Sequence, residues 1–275
     1  MNAAYIYQKS PIVKRCTLLF TLILATTGFQ ERDATHKLPP TPAMHTLGLI
    51  GGTSWHSTVE YYSYINQMVN DTFQNNTNPP LILLNLNQHL VHALQSADRW
   101  DSIAGLLVDA TRRLQSSGAE AVLFCANTPH KVYEEVSKRV EIPILHIADA
   151  TGIEIQRRGL HRVGLIGTIF TMEEDFIKKR LKEKFGVDVI VPVRSEDRLE
   201  LHRIVQKELS LGVLKPETKT YILAQLDLLK RRGAQGIILG STEFPLIIRA
   251  EDIDVPLFNT TLLHSQMAVK FISGR

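Results

Sequence analysis

Two pseudo-twofold-related α/β domains with parallel sheets are predicted for this chain by three observations. A half-chain pattern occurs twice, apolar runs alternate with helical patterns, and small polar residues end both copies of one strand. Residues 118–128 (GAEAVLFCANT) recur as 233–243 (GAQGIILGSTE). Gly48-Leu49-Ile50-Gly51 returns as Gly164-Leu165-Ile166-Gly167, and Ile142-Pro143-Ile144-Leu145 as Val255-Pro256-Leu257-Phe258. Offsets of 116, 115 and 113 residues describe a duplication with small insertions. Two such halves can present one group to each side of a bound carbon, which is the geometry a stereochemical inversion requires.

Apolar runs bounded by Gly, Pro or Asn predict buried parallel strands at 46–50, 81–86, 120–124, 142–146, 162–166, 187–191, 236–239 and 255–258. Helical patterns lie between them. Residues 102–117 put Ile103, Leu106, Leu107, Ala110 and Leu114 on one face and stop at Gly118. Thr171 with Glu174 reads as a capping box for a helix reaching Phe185 and closed by Gly186. Pro216 suits the first turn of a helix that ends near Gly233. Strands alternating with helices imply right-handed crossovers, so ligands are expected beyond the carboxyl ends of the strands.

With 275 residues and 44% hydrophobic content, the chain can bury a sizeable core, divided by the repeat into two domains of roughly 110 residues each. The domains are expected at 46–149 plus 258–275 and at 150–257. The formal charge of +3 comes from the first 43 residues, where Lys9, Lys14, Arg15, Arg32 and Lys37 outnumber Glu31 and Asp33. A neutral body gives no electrostatic basis for binding nucleic acid. Only Cys16 and Cys125 are present, so neither a disulfide nor a CxxC metal site is expected.

Residues 1–43 read as a signal-peptide-like leader and linker: a basic stretch from Lys9 to Arg15, an apolar run from Cys16 to Ala25, then a polar, proline-rich segment. The apolar run is too short to span a bilayer, so no membrane association beyond the leader is expected. A functional leader implies a periplasmic or secreted protein. The alternative is a true start at Met44 and a cytoplasmic protein.

The chemistry-bearing residues lie at strand ends. In Gly51-Gly52-Thr53-Ser54 and Gly167-Thr168, backbone N–H groups could cradle an anion, or the glycines could simply make tight turns. Neither copy has the full GxGxxG spacing of a dinucleotide site. Asn127-Thr128-Pro129-His130 and Ser241-Thr242-Glu243 would converge if the two halves face each other.

Five segments carry a specific resemblance. Residues 51–58 (GGTSWHST), 125–131 (CANTPHK), 146–151 (HIADAT), 167–176 (GTIFTMEEDF) and 240–244 (GSTEF) resemble the aspartate/glutamate racemase family, and within it the broad-specificity amino-acid racemases. The resemblance covers about 46–275. It implies an active site in the interdomain cleft, a small amino-acid substrate, a role in D-amino-acid metabolism, no cofactor, no metal and a homodimer.

In that family a thiolate removes the α-proton on one face and a thiol returns a proton on the other, both held close to the carbon. The catalytic cysteine precedes Asn or Thr. Here Ala126 and Ser241 stand at those two positions. Ser241 is therefore expected to be one base, and Cys125, one residue early, the other if a bulge turns it into the cleft. Otherwise alternation along the strand makes Cys125 a small buried hydrophobe behind the site.

The resemblance further implies substrate contacts from Thr53, Ser54, Asn127, Thr128, Thr168, Thr242, Glu243 and His264. His264 reads equally as a core histidine, and Thr171 could contact substrate or only cap a helix. Lys207 could meet a side-chain carboxylate but reads more simply as a solvated helix residue. The expected activity is cofactor-independent amino-acid racemisation. The alternatives are a catalytically impaired amino-acid-binding protein and a one-sided enzyme such as a decarboxylase or hydrolase.

Overall fold

Uniformly apolar strands can be buried on both faces, and four of them set the architecture. A computed structural model of the protein describes residues 43–74 and 76–275; the leader expected at 1–43 lies, but for its last residue, outside them. The first half runs β1 (Leu47–Gly51), α1 (Trp55–Phe73), β2 (Leu81–Asn85), α2 (Gln88–Ser96), α3 (Trp100–Ser116), β3 (Ala121–Phe124), α4 (Tyr133–Ser137), β4 (Ile144–Leu145) and α5 (Ile147–Arg157). The second runs β5 (Arg162–Gly167), α6 (Ile169–Glu173), α7 (Asp175–Phe185), β6 (Asp188–Ile190), α8 (Ser195–Lys207), α9 (Pro216–Arg231), β7 (Ile237–Gly240) and β8 (Leu257–Asn259), before α10 (Thr260–Ile272).

The strand orders are β2-β1-β3-β4 and β6-β5-β7-β8, every pairing parallel. The duplication read in the sequence is thus a duplication of topology. Leu49, sandwiched between β2 and β3, faces Leu83 and Leu123 in register, as Leu165 faces Ile238 in the second sheet. Leu123 and Ile238 are fully buried, and truncating such a side chain to alanine costs about 2–5 kcal/mol through lost contacts and the cavity left behind.

Helices α3 on one sheet and α8 and α9 on the other bury their apolar stripes on the outer faces. The inner faces meet α1 and α10 on the first sheet and α5 and α7 on the second. Helices α5 and α10 also pack on each other, which joins the halves along their backs. The described residues accordingly belong to one compact unit.

Three sequence expectations shift. The helix expected from Thr171 breaks at Glu174, whose extended backbone separates α6 from α7. Its N-cap is Thr168, which accepts the Thr171 N–H at 3.3 Å, so Thr171 is the capped residue rather than the cap. The expected strand 142–146 shrinks to β4, since Pro143 cannot donate to the ladder. Finally, β8 belongs to the second sheet up to Asn259, so the return to the first half begins at α10 rather than at 258.

Candidate active site

The carboxyl ends of β1, β3, β5 and β7 open into one cleft of about 590 Å³, including its mouth. Each loop there is dictated locally. Gly52 has φ of +86°, and a Cβ added to it would lie 2.0 Å from the Leu86 carbonyl oxygen, so only glycine lets the chain turn beneath the 86–88 segment. Beyond that turn, Ser54 caps α1, accepting the Ser57 N–H at 3.5 Å.

Thr53, Ser54, Asn127, Thr128, Thr168, Ser241, Thr242 and Glu243 all line the cleft, as does Ala126. The sequence-predicted residues of the two halves therefore face one space. Thr128 and Thr168 hydroxyls meet across it at 3.3 Å, and Thr168 also touches the Thr171 hydroxyl at 3.1 Å. Asn127 donates its amide to Thr260 Oγ1 at 3.0 Å, and Thr260 donates to the Leu239 carbonyl, which ties the end of β3 to the end of β7. The Asn127 side-chain oxygen Oδ1 is buried without a hydrogen-bond partner among the described residues.

The most polarised group is Ser241. Its hydroxyl donates to Glu243 Oε2 at 2.6 Å, and Thr242 donates to the same oxygen at 2.9 Å. Glu243 is only 6% exposed. No lysine, arginine or aspartate lines the cleft among the described residues, so Glu243 carries the formal charge of the site. The backbone N–H groups of Thr53, Ser54, Asn127 and Thr242 are among those on the cleft loops that have no intramolecular acceptor among the described residues. Such a cradle suits an anionic group by dipole rather than by a counter-ion.

Two expected site residues lie elsewhere. Cys125 points behind the sheet into the core formed with Leu47, Tyr61, Ala268 and Ile272, and the residue is 2% exposed. The strand continues to its end without a bulge, so alternation turns Ala126 to the cleft and Cys125 away from it. Burial pushes the Cys125 thiol well up, which leaves it protonated and unreactive. As a base for a substrate in this cleft, Cys125 is corrected to a packing residue.

His264 is likewise outside the cleft. Its Nε2 donates to the Leu145 carbonyl at 2.9 Å, and its Nδ1 accepts the Tyr61 hydroxyl at 2.8 Å. Burial, and then the nearby His130, lower its pKa to about 3, so it is a neutral core ring. Next to it, His130 holds the site loop: Nδ1 lies 3.1 Å from both the Ala126 and Asn127 carbonyls, and Nε2 accepts the Ile147 N–H at 3.2 Å. Lys207 is exposed and does not line the cleft.

The sequence reading missed the far wall. Helix α2 contributes Gln88, His92 and Gln95, while Phe170, His202 and Gln206 come from α6 and α8. The spacing 88, 92, 95 is one helical face, a polar stripe of the same composition as a solvated surface. His92 Nε2 donates to the Thr53 carbonyl at 3.0 Å, and His202 Nδ1 accepts the Ile169 N–H at 3.4 Å. Burial, with a smaller effect of His92, lowers the pKa of His202.

Comparison with known proteins places this arrangement. The family model for Asp/Glu/hydantoin racemases matches residues 50–268. The structure superposes with a TM-score of 0.78 on a provisionally named Asp/Glu racemase from Yersinia pestis, 39% identical over 83% of this chain and 99% of that one. An aspartate racemase homologue from Pyrococcus horikoshii OT3 gives 0.74, with 35% identity over 84% and 100% of the two chains. Among curated proteins, the broad specificity amino-acid racemase RacX of Bacillus subtilis is 30% identical over 90 residues, which is 33% of this chain and 39% of that relative.

Proposed function

The chain belongs to the Asp/Glu/hydantoin racemase family, and on that premise we propose that it is a cofactor-independent racemase of free amino acids, acting in the cleft between its two sheets. The observation that carries this reading is the Ser241–Glu243 contact at the end of β7, where a buried carboxylate accepts the hydroxyl proton at 2.6 Å. A serine alone is a poor base, and an adjacent acceptor is what activates it.

In this reading the unpartnered N–H groups of Thr53, Ser54, Asn127 and Thr242 take the substrate α-carboxylate, and Glu243 balances the ammonium. The α-proton passes to Ser241 Oγ as the hydroxyl proton passes to Glu243 Oε2. On the opposite wall Ala126 has no proton to give, so the hydroxyls of Thr53, Ser54 and Thr128 are the groups that can return one. No lysine lines the cleft to form a Schiff base, and among the described residues no cluster of three His, Cys, Asp or Glu side chains is placed to hold a metal. In this reading the proton transfers are carried by these side chains.

The test is to incubate the full-length protein with single enantiomers in deuterated water and follow the α-proton by NMR. Exchange with inversion is expected. A second reading, an amino-acid-binding protein without turnover, is favoured by Ala126 on the cleft wall; saturable binding with no exchange would replace the first reading with it.

A further inference from the structure

From the composition of the wall formed by α2, α6 and α8, and resting on the reading that the cleft binds a free amino acid, we infer that the protein selects substrates with neutral, hydrogen-bonding side chains and rejects aspartate and glutamate. The cleft extends from Ser241 to a wall of Gln88, His92 and Gln95 on one side and Phe170, His202 and Gln206 on the other. A side chain leaving the α-carbon toward this wall meets amides, imidazoles and one aromatic ring.

Gln95, His202 and Gln88 are set to exchange neutral hydrogen bonds. Gln95 is 9% exposed, and its side-chain amide has no protein partner among the described residues, so both its donor and its acceptor ends are available to a ligand. His202 accepts a backbone N–H through Nδ1, which puts the proton of the neutral ring on Nε2 as a donor. Gln88 already accepts the Trp55 N–H through Oε1 at 3.3 Å, leaving its NH₂ free. Amide and hydroxyl side chains satisfy such a surface. A carboxylate, by contrast, would find no lysine or arginine among the lining residues to pair it and would share the cleft with the carboxylate of Glu243.

The cations closest in sequence to the site are engaged elsewhere or lie outside: Arg203, beside His202, pairs with Glu200 and Glu208, each at 2.7 Å. Lys131 Nζ pairs with Glu174 at 2.7 Å and sits over the Trp100 ring at 3.8 Å, outside the cleft lining. Lys207 is exposed and does not line it. A site that hydrogen-bonds its ligand discriminates strongly against the isostere that leaves those bonds or a charge unmatched.

Glutamine and glutamate have nearly the same shape and differ in charge, as do asparagine and aspartate, so these pairs test the inference without a size effect. Binding of each to the full-length protein is measured by calorimetry at pH 7.5, with α-proton exchange followed separately. The amide of each pair should bind at least about tenfold tighter than the acid, which corresponds to about 1.4 kcal/mol. Gln206→Arg, at an exposed position of α8 on the cleft rim, should supply the missing cation and bring glutamate to within about threefold of glutamine.

Acids binding as tightly as amides to the unmodified protein would overturn the inference and leave the racemase reading intact. Amide-selective binding without exchange would sustain the inference while removing the catalytic reading. If Gln206→Arg binds glutamine normally yet gains nothing for glutamate, the specificity does not reside on this wall and the assignment falls. Failure of all four amino acids to bind would overturn both readings.

Discussion

Lowering the pH from 7.5 to 5.0 should remove a large part of this protein's stability through two buried rings behind the cleft. His130 and His264 have ring centroids 5.7 Å apart, and burial lowers their pKa values to about 4 and about 3. An unfolded-chain histidine titrates near 6.5. Between those values the unfolded state binds more protons than the folded one, so stability is complete above about pH 6.5 and drains away as the pH falls toward the folded values. At pH 5.0 each ring subtracts about 2 kcal/mol, because the unfolded ring is almost fully protonated while the folded one is almost fully neutral. The two together remove about 4 kcal/mol, against a total of about 5–15 for an ordinary domain. At pH 5.0 this sum depends weakly on the folded values. His146, lowered by burial and then by His130, acts in the same direction. Urea denaturation of the full-length protein at the two pH values reads the difference directly. In His264→Gln, which keeps a donor and an acceptor, the pH-dependent loss should fall by about 2 kcal/mol whatever the variant's stability at pH 7.5. A loss below about 1 kcal/mol in the unmodified protein, or an unchanged loss in His264→Gln, would refute the reasoning.

Three further outcomes are expected. Cys125→Ala should leave α-proton exchange within about twofold of the unmodified protein and cost about 1–2 kcal/mol in denaturant unfolding, since it vacates a packed position; abolished exchange in a folded variant would return Cys125 to the chemistry. Ala126→Cys and Ser241→Cys together should raise exchange more than the product of the single changes, as inversion needs both faces served; NMR in deuterated water reports it, and simple multiplicativity contradicts it. If residues 9–25 are an export signal, the mature protein should begin near residues 26–35 by N-terminal sequencing and fractionate outside the cytoplasm; an intact cytosolic chain, or a start at Met44, removes the export proposal.

How far each part of the molecule was legible follows from how its residues are solvated. Strands β1, β3, β7 and, beyond its exposed first residue Arg162, β5 are covered on both faces, so their runs are apolar and show directly. The loop residues at their ends were legible because duplication printed them twice. Cys125 against Ala126 was a matter of alternation, which the sequence states as two options and the register of β3 with β1 resolves. The wall from α2 and α8 was hidden, because Gln88, His92, Gln95 and Gln206 sit among residues that face bulk solvent, and a polar stripe facing a ligand has the same composition as one facing water. His264 stood open between substrate contact and core histidine for the opposite reason. Its segment matched a family pattern, but its partners, Tyr61 and the Leu145 carbonyl, come from 203 and 119 residues away.

The duplication also constrains what a loss at one position means. Ala126 and Ser241 occupy the same place in two copies of one fold, at the ends of strands that hold identical positions in their sheets. Topology therefore continues to present two opposed sites even where chemistry is supplied at only one. The copy with Ser241 has a carboxylate two residues on, whereas the copy with Ala126 has Thr128 there, a hydroxyl already engaged with Thr168 across the cleft. In the proposed reaction, proton transfer on the Ser241 face would be backed by a buried acceptor, and transfer on the other face would not. The two directions of inversion begin on opposite faces, so the enantiomer whose α-hydrogen faces Ser241 should exchange faster than its mirror image in single-turnover NMR. Equal initial exchange rates for the two enantiomers would mean that Ser241–Glu243 is not the pair that removes the proton.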